Sequence, residues 1–222
     1  MSNNIPPEGH VILMDKPLEW TSFDVVKKIK NKLNLKKVGH AGTLDPLATG
    51  LLILCTDRKT KQISGIQEQP KEYIGTMVLG KTTASYDLES PIIDGGDIST
   101  LTDEILTSLI PQFEGEIEQT PPIFSAVKVN GERAYKKARA GEKVKLKSRK
   151  VTIYAFELTS IDLPEISFKV NCSKGTYIRS LVNDFGIAAG VGAYLSGLRR
   201  TKIGDYSVDD AFTIDTISSE SL

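Results

Sequence analysis

The chain has 222 residues, 40% of them apolar, which is enough to bury one sizeable core. Its 28 basic residues balance its 28 acidic ones, so the total charge singles out no partner. No apolar run reaches the roughly 20 residues that span a bilayer, the start MSNNIPPEGH lacks a signal-peptide pattern, and Cys55, Cys172, His10 and His40 form neither a disulfide framework nor a zinc spacing.

Residues 10–14 are a short apolar run that ends at Lys16-Pro17 and predicts a strand. Thr21-x-x-Asp24 is a capping box, and Phe23, Val26, Ile29 and Leu33 follow at helical spacing. A glycine-rich loop, GHAGTLDPLATG over residues 39–50, comes next. Residues 51–55 form an unbroken apolar run, too short for a free helix and read as a buried strand. A short basic helix is expected over 57–66 and a strand over 73–79. Thr102 caps a helix running toward Pro111, with Leu101 and Leu106 as its hydrophobic staple. Residues 127–131 read as a strand entering an Asn-Gly turn, and 134–140 as a short basic helix ending at Gly141. Residues 151–158 predict a strand. Ile166, Phe168, Val170 and Cys172 alternate with polar residues, the mark of a half-buried strand. Ile178, Leu181, Val182 and Phe185 give a helix stripe stopped at Gly186, and residues 194–203 a last strand. Residues 1–9 and 214–222 read as flexible tails. Strands dominate without a regular βαβ rhythm, so the expected class is α+β, with a mixed or mostly antiparallel sheet flanked by helices and loops.

Two loops compete for the chemistry. GTMVLGKT, residues 75–82, matches the phosphate-loop pattern letter for letter. Its inner residues favour an extended strand, and no helical stripe follows Lys81 before Pro91. It therefore reads as a strand ending at a Gly-Lys turn, and no nucleotide cofactor is expected. The loop 39–50 carries one acid, Asp45, which Pro46 pushes toward an extended conformation. A reacting carboxylate and an Asp-Pro turn bonding its own backbone explain it equally well.

Charge is unevenly spread. Residues 82–127 hold no Lys or Arg, whereas 128–150 hold ten against Glu132 and Glu142. Smaller basic clusters lie at 27–37, 58–61 and 199–202. Separated basic faces on a neutral chain suit a polyanion, and equally suit a solvated surface.

Six segments together resemble the TruB-type tRNA pseudouridine synthases. They are MDKPLEWTSFDVV, VGHAGTLDPLATGLL, KEYIGTMVLGKTTASYDLES, TPPIFSAVKVNGERAYKKARAGE, CSKGTYIRSLVNDFG and LRRTKIGDYSVDDA, in the family's order over residues 11–211. The resemblance implies a pseudouridine synthase fold over residues 10–213, with an RNA-clasping insertion at about 123–150; many members add a C-terminal PUA domain, which is not expected here because only residues 205–222 follow the last strand. It implies an isomerase that flips out uridine 55 in the tRNA T-loop, breaks its N–C glycosidic bond and re-forms a C–C bond. No metal or other cofactor is implied, and the enzyme is expected as a cytoplasmic monomer acting on the tRNA T-arm. A tRNA-folding chaperone without chemistry is the competing reading.

By the same resemblance Asp45 is the catalytic aspartate, acting on ribose or uracil as nucleophile or taking a sugar proton. Tyr73 offers the flipped base a stacking face. Arg179 is expected to pair with the catalytic aspartate, and a guanidinium fork would hold that carboxylate in one orientation. Tyr177 is expected against the uracil edge or Arg179, and Leu198 to close over the uracil. His40 is expected to stack within the T-loop, and Asp87 to help organise the site. Ser90 stands where the family often has glycine.

Overall fold

The computed structural model describes residues 8–125, 127–129, 131–134 and 146–221. The chain divides into two compact units, Met1–Ile74 with Leu198–Leu222, and Gly75–Gly197. The first opens with β1 (Val11–Lys16), α1 (Ser22–Lys32), β2 (Val38–His40), β3 (Ala48–Thr56) and α2 (Ile63–Glu68), and runs into β4 (Lys71–Leu79). The second carries β5 (Lys81–Thr83), β6 (Ile92–Asp94), α3 (Asp103–Leu109), β7 (Gly115–Gln119), β8 (Lys128–Val129), β9 (Glu132–Arg133), β10 (Arg149–Asp162), β11 (Glu165–Cys172) and α4 (Ile178–Ala188). Then β12 (Ala193–Ile203) leads back to the first unit, where the two-residue β13 (Tyr206–Ser207) follows the strand expected to be last. The class is α+β, with sheet pairing mixed but mostly antiparallel.

In the first unit β3 is the hub. It pairs antiparallel with β1, from Val11↔Cys55 to Lys16↔Gly50, and with β2. It runs parallel to β12 at Leu198↔Ala48. Both faces of β3 are covered, which is why its sequence does not alternate. Leu52 and Leu54 join Ile12, Met14 and the α1 residues Val25, Val26 and Ile29 on one side. Leu51, Ile53 and Cys55 join Ile66 and Ile203 on the other.

The α1 capping box forms as expected, with Asp24 N donating to Thr21 Oγ1 and Thr21 N to Asp24 Oδ2, each at 3.0 Å. Its buried face keeps Val26, Ile29 and Leu33 of the expected stripe but not Phe23. Phe23 is 69% exposed, while Ser22, Val25, Val26 and Ile29 are buried. At 100° per residue those four fall within one narrow arc, and Phe23 lies outside it.

In the second unit β10 lies between β11 and β7, antiparallel to both. Ile166, Phe168, Val170 and Cys172 point inward as the alternation predicts, each at most 1% exposed. Four phenylalanines, 113, 156, 168 and 185, pack edge-on or tilted and seat α4 on the sheet. Gly186 does not stop α4, which continues to Ala188. A Cβ at Gly186 would lie 2.2 Å from Ala193 N, so glycine is required there by close approach of the chain entering β12.

Three further expectations are corrected. The predicted helix over 57–66 is a 3-10 turn, Asp57–Gln62, followed by α2. Residues 214–221 are not a loose tail. Ile217 is fully buried in the α1 core, and Lys32 Nζ donates to Ile214 O at 2.7 Å and Asp215 O at 3.1 Å. At the other end residues 1–7 lie outside the described residues, while Gly9 is buried and His10 N donates to Thr56 Oγ1 at 2.8 Å, so the chain is anchored immediately before β1.

GTMVLGKT is strand through Leu79, turns at Gly80 and re-enters strand as β5, with no helix after its lysine. The turn predicted near residue 131 joins β8 to β9. Residues 135–140 of the helix predicted over 134–140, and residues 126, 130 and 135–145 of the basic insertion, lie outside the described residues. Among the described residues no helix is long and apolar enough to cross a membrane.

Candidate active site

Asp45 stands half-buried in a turn between β2 and β3, closed by Ala48 N donating to Asp45 O at 3.1 Å. Three buried polar side chains grip the backbone on either side of it. Lys16 Nζ donates to Pro46 O at 3.3 Å, and to Pro17 O and Trp20 O at 2.9 and 2.6 Å. Ser22 Oγ accepts from Leu44 N at 2.9 Å and donates to Leu44 O at 3.1 Å. Arg200 Nε donates to Leu51 O at 2.8 Å, Nη2 to Gly42 O at 3.1 Å and Nη1 to Thr43 O at 3.5 Å. Gly50, at φ +99, lets β12 pass close by, since a Cβ there would lie 2.3 Å from Arg200 O. The turn is thus held at several carbonyls, which fixes the backbone that carries the Asp45 carboxylate.

Lys16 is fully buried, and desolvation pushes its pKa down from 10.5 to about 8. The Asp45 charge pulls it back up and Arg200 pushes it further down. Below pH 8 both folded and unfolded chains hold the proton. Between about 8 and 10.5 the unfolded chain binds it and the folded chain does not. Stability from this group therefore rises with pH across that window, by an amount on the order of 3 kcal/mol. Urea unfolding at pH 7 and pH 10, compared between wild type and Lys16→Met, is expected to show the rise in wild type and its loss in the variant. Equal pH slopes would mean that Lys16 titrates normally.

The other expected residues of the first unit lie on β12, β4 and β2. Leu198 is half-buried on β12 opposite Ala48, three residues beyond Asp45, and its carbonyl accepts from Thr49 Oγ1 at 3.5 Å. Tyr73 is 9% exposed on β4. His40 ends β2, and burial holds its pKa below the ordinary value, opposed by a hydrogen bond with the Gly42 backbone. In the basic cluster at 199–202 Lys202 is exposed, but the two arginines do not form a solvated face. Arg199 forms a two-pronged ion pair with Asp15, at 2.9 and 2.7 Å, and Arg200 is 1% exposed.

Asp87, Tyr177 and Arg179 belong to the second unit, and Asp45 to the first. The structure pairs Arg179 with Asp87, and Tyr177 stands two residues before Arg179 at the start of α4. Arg179 occupies the first turn of α4 yet is 4% exposed, not the surface arginine that its place beside the apolar stripe suggests. Its Nη1 lies 3.4 Å from Asp87 Oδ2 and donates to Ser85 O at 3.2 Å, while Nη2 donates to Phe124 O at 3.1 Å. Asp87 is itself fixed, its Oδ1 accepting from Glu89 N and its carbonyl from Thr83 Oγ1 and Ser85 Oγ. Tyr177 caps α4. Buried Gln119 holds its backbone from both sides, accepting from Tyr177 N at 2.7 Å and donating to Tyr177 O at 3.0 Å. The Arg149 guanidinium lies over the Tyr177 ring, 4.7 Å from its centroid, and also donates to Gly175 O. Among the described residues no cluster of three or more His, Cys, Asp or Glu could hold a metal ion.

The profile of the TruB family pseudouridylate synthase N-terminal domain matches residues 30–178, two thirds of this chain. The chain belongs to the TruB family. The profile of the tRNA pseudouridylate synthase B C-terminal domain matches residues 179–222. A protein of Flavobacterium johnsoniae named tRNA pseudouridine synthase B is 55% identical, over 97% of this chain and 96% of its own. A protein of the same name from Parabacteroides distasonis is 52% identical, over 90% and 88%. Among solved structures, a chain of an H/ACA RNP bound to a substrate RNA containing 2'-deoxyuridine superposes with a TM-score of 0.70 at 32% identity. That likeness covers 94% of this chain and 51% of the other, so this TruB-family chain spans about half its length.

Within this TruB-family site, sequence reasoning missed Lys16, Ser22, Arg200, Gln119 and Arg149. One signal was present. Lys16 falls in phase with Ile12 and Met14 along β1, so the alternation itself places its side chain on the buried face. Arg200 had no such signal, because it sits inside a basic cluster that reads as surface.

Proposed function

We propose that this chain is a tRNA pseudouridine synthase that converts uridine 55 in the T-loop into pseudouridine. One observation carries the reading. A half-buried carboxylate, Asp45, is held on a turn gripped by Lys16, Ser22 and Arg200, in a chain 55% identical to a protein named for that activity. Asp45 is the catalytic group, as nucleophile or base toward the flipped nucleotide. Tyr73 supplies a stacking face and Leu198 an apolar one. His40, Tyr177, Arg179 and Asp87 are further substrate-binding residues, the last three rigidly seated by their own hydrogen bonds. Both units serve this one activity, within residues 10–213, and the enzyme acts as a cytoplasmic monomer on the T-arm.

The test is pseudouridine formation in an unmodified tRNA transcript without ATP, mapped by carbodiimide labelling and primer extension. The expected result is one stop, at the T-loop uridine. A folded protein that binds the transcript and leaves it unmodified would overturn the catalytic reading and favour a tRNA-folding role.

A further inference from the structure

We propose that the solvent face of α1, with the loop before it, is an RNA-contact surface that holds the strand flanking the target uridine. The inference rests on the tRNA reading above. The start of α1 and the Asp45 turn are one rigid piece. Glu19 N donates to Pro46 O at 2.9 Å, Lys16 bridges Trp20 O and Pro46 O, and Ser22 bonds both backbone atoms of Leu44. A nucleotide seated at Asp45 therefore has its neighbours within reach of this face.

The face has the chemistry of such a contact. Leu18 is 54% exposed in the loop, and Phe23 is 69% exposed on the first turn. Lys27 and Lys30 are exposed and follow Phe23 at i+4 and i+7, so the three side chains share one stripe about 10 Å long. Asp24 lies off that stripe, and its carboxylate is occupied by the Thr21 cap. Ammonium groups along a helix take phosphates. An aromatic face beside them takes a sugar or an unstacked base, which is how single-stranded RNA is usually gripped. A merely solvated helix would carry the lysines, but not two exposed apolar side chains next to a gripped carboxylate turn.

Fluorescence anisotropy with an unmodified tRNA transcript, over a range of salt, compares wild type, Lys27→Gln/Lys30→Gln and Phe23→Ser. The double variant is expected to lose about five- to ten-fold in affinity at low salt, and its log affinity–log salt slope to fall by about 1.5. Phe23→Ser is expected to lose about five-fold or more with the slope unchanged. All three positions are exposed, so melting temperatures should match wild type. Wild-type affinity and slope in both variants would overturn the proposal. Binding is read without turnover, so a wild type that binds tRNA but makes no pseudouridine overturns only the activity reading. A wild type that does not bind tRNA overturns both.

Discussion

Asp45→Asn is expected to bind tRNA about as well as wild type and to lose pseudouridine formation by at least about 10⁴-fold, the scale seen when a reacting group is removed. The substitution is isosteric, and the backbone of the turn is held without the carboxylate. Lys16 bonds Pro46 O, Ser22 bonds Leu44 and Arg200 bonds Gly42 O and Thr43 O, all through main-chain atoms or side chains other than Asp45. The shape of the turn should therefore survive, and with it binding. What disappears is the charge and the nucleophilic or basic oxygen. Single-turnover assays at saturating enzyme measure the chemical step directly. Asp45→Ala serves as a second variant, because an amide retains hydrogen-bonding capacity that a methyl group does not. Turnover within ten-fold of wild type in both would show that another group carries the reaction. A second readout follows from the field at Lys16. The Asp45 charge raises the Lys16 pKa, so its removal should move that titration below about 8.

Much of this arrangement was legible before the structure, and the failures share a cause. Local signals did well where the chain interacts with its near neighbours. Thr21 and Asp24 form the expected box, and the alternation in β11 gives its buried face. The unbroken apolar run at 51–55 is a strand covered on both faces. They failed where burial is decided by distant parts of the chain. Phe23 fits a helical stripe, yet the core takes Ser22 and Val25 in its place because the β1–β3 layer meets α1 on a narrow arc. Ile217 looks like part of a polar tail and is buried because Lys32 and the α1 core capture it. Arg179 and Arg200 are charged residues in positions that read as surface. Each is buried because carbonyls from remote segments converge on its guanidinium: Ser85 and Phe124 for the first, Gly42, Thr43 and Leu51 for the second. A planar fork of donors can satisfy several such acceptors at once, which is why arginine and not lysine occupies both places. The resemblance to the synthase family pointed to Arg179 from its motif. It did not point to Arg200, whose hydrogen bonds go to the backbone of the Asp45 turn and of β3.

Arg200→Met should destabilise the protein by roughly 3 kcal/mol and disable the turn even in the molecules that remain folded. The guanidinium is 1% exposed and serves three carbonyls, and methionine fills much of its volume while leaving Gly42 O, Thr43 O and Leu51 O without that donor. Each lost charged hydrogen bond costs about 1.5–3 kcal/mol, offset in part because a buried charge is also removed. For a chain of this size the melting temperature should fall by about 6–12 °C. Activity below the melting range should drop by about 10²-fold, because Gly42 and Thr43 would no longer fix the segment that leads into Asp45. Arg200→Lys separates charge from geometry. A single ammonium keeps the charge but cannot span three acceptors, so it should lose most of the activity as well. Lys16 supplies the internal check. Arg200 pushes the Lys16 pKa down, so Arg200→Met should raise it above about 8, while Arg200→Lys should leave it nearly unchanged. Nuclear magnetic resonance of the Lys16 side chain, or the pH slope of urea unfolding, reads that shift. A melting temperature within 2 °C of wild type, estimated against the several degrees expected per kcal/mol, together with an unmoved Lys16 titration, would mean that the turn is held by Lys16 and Ser22 alone.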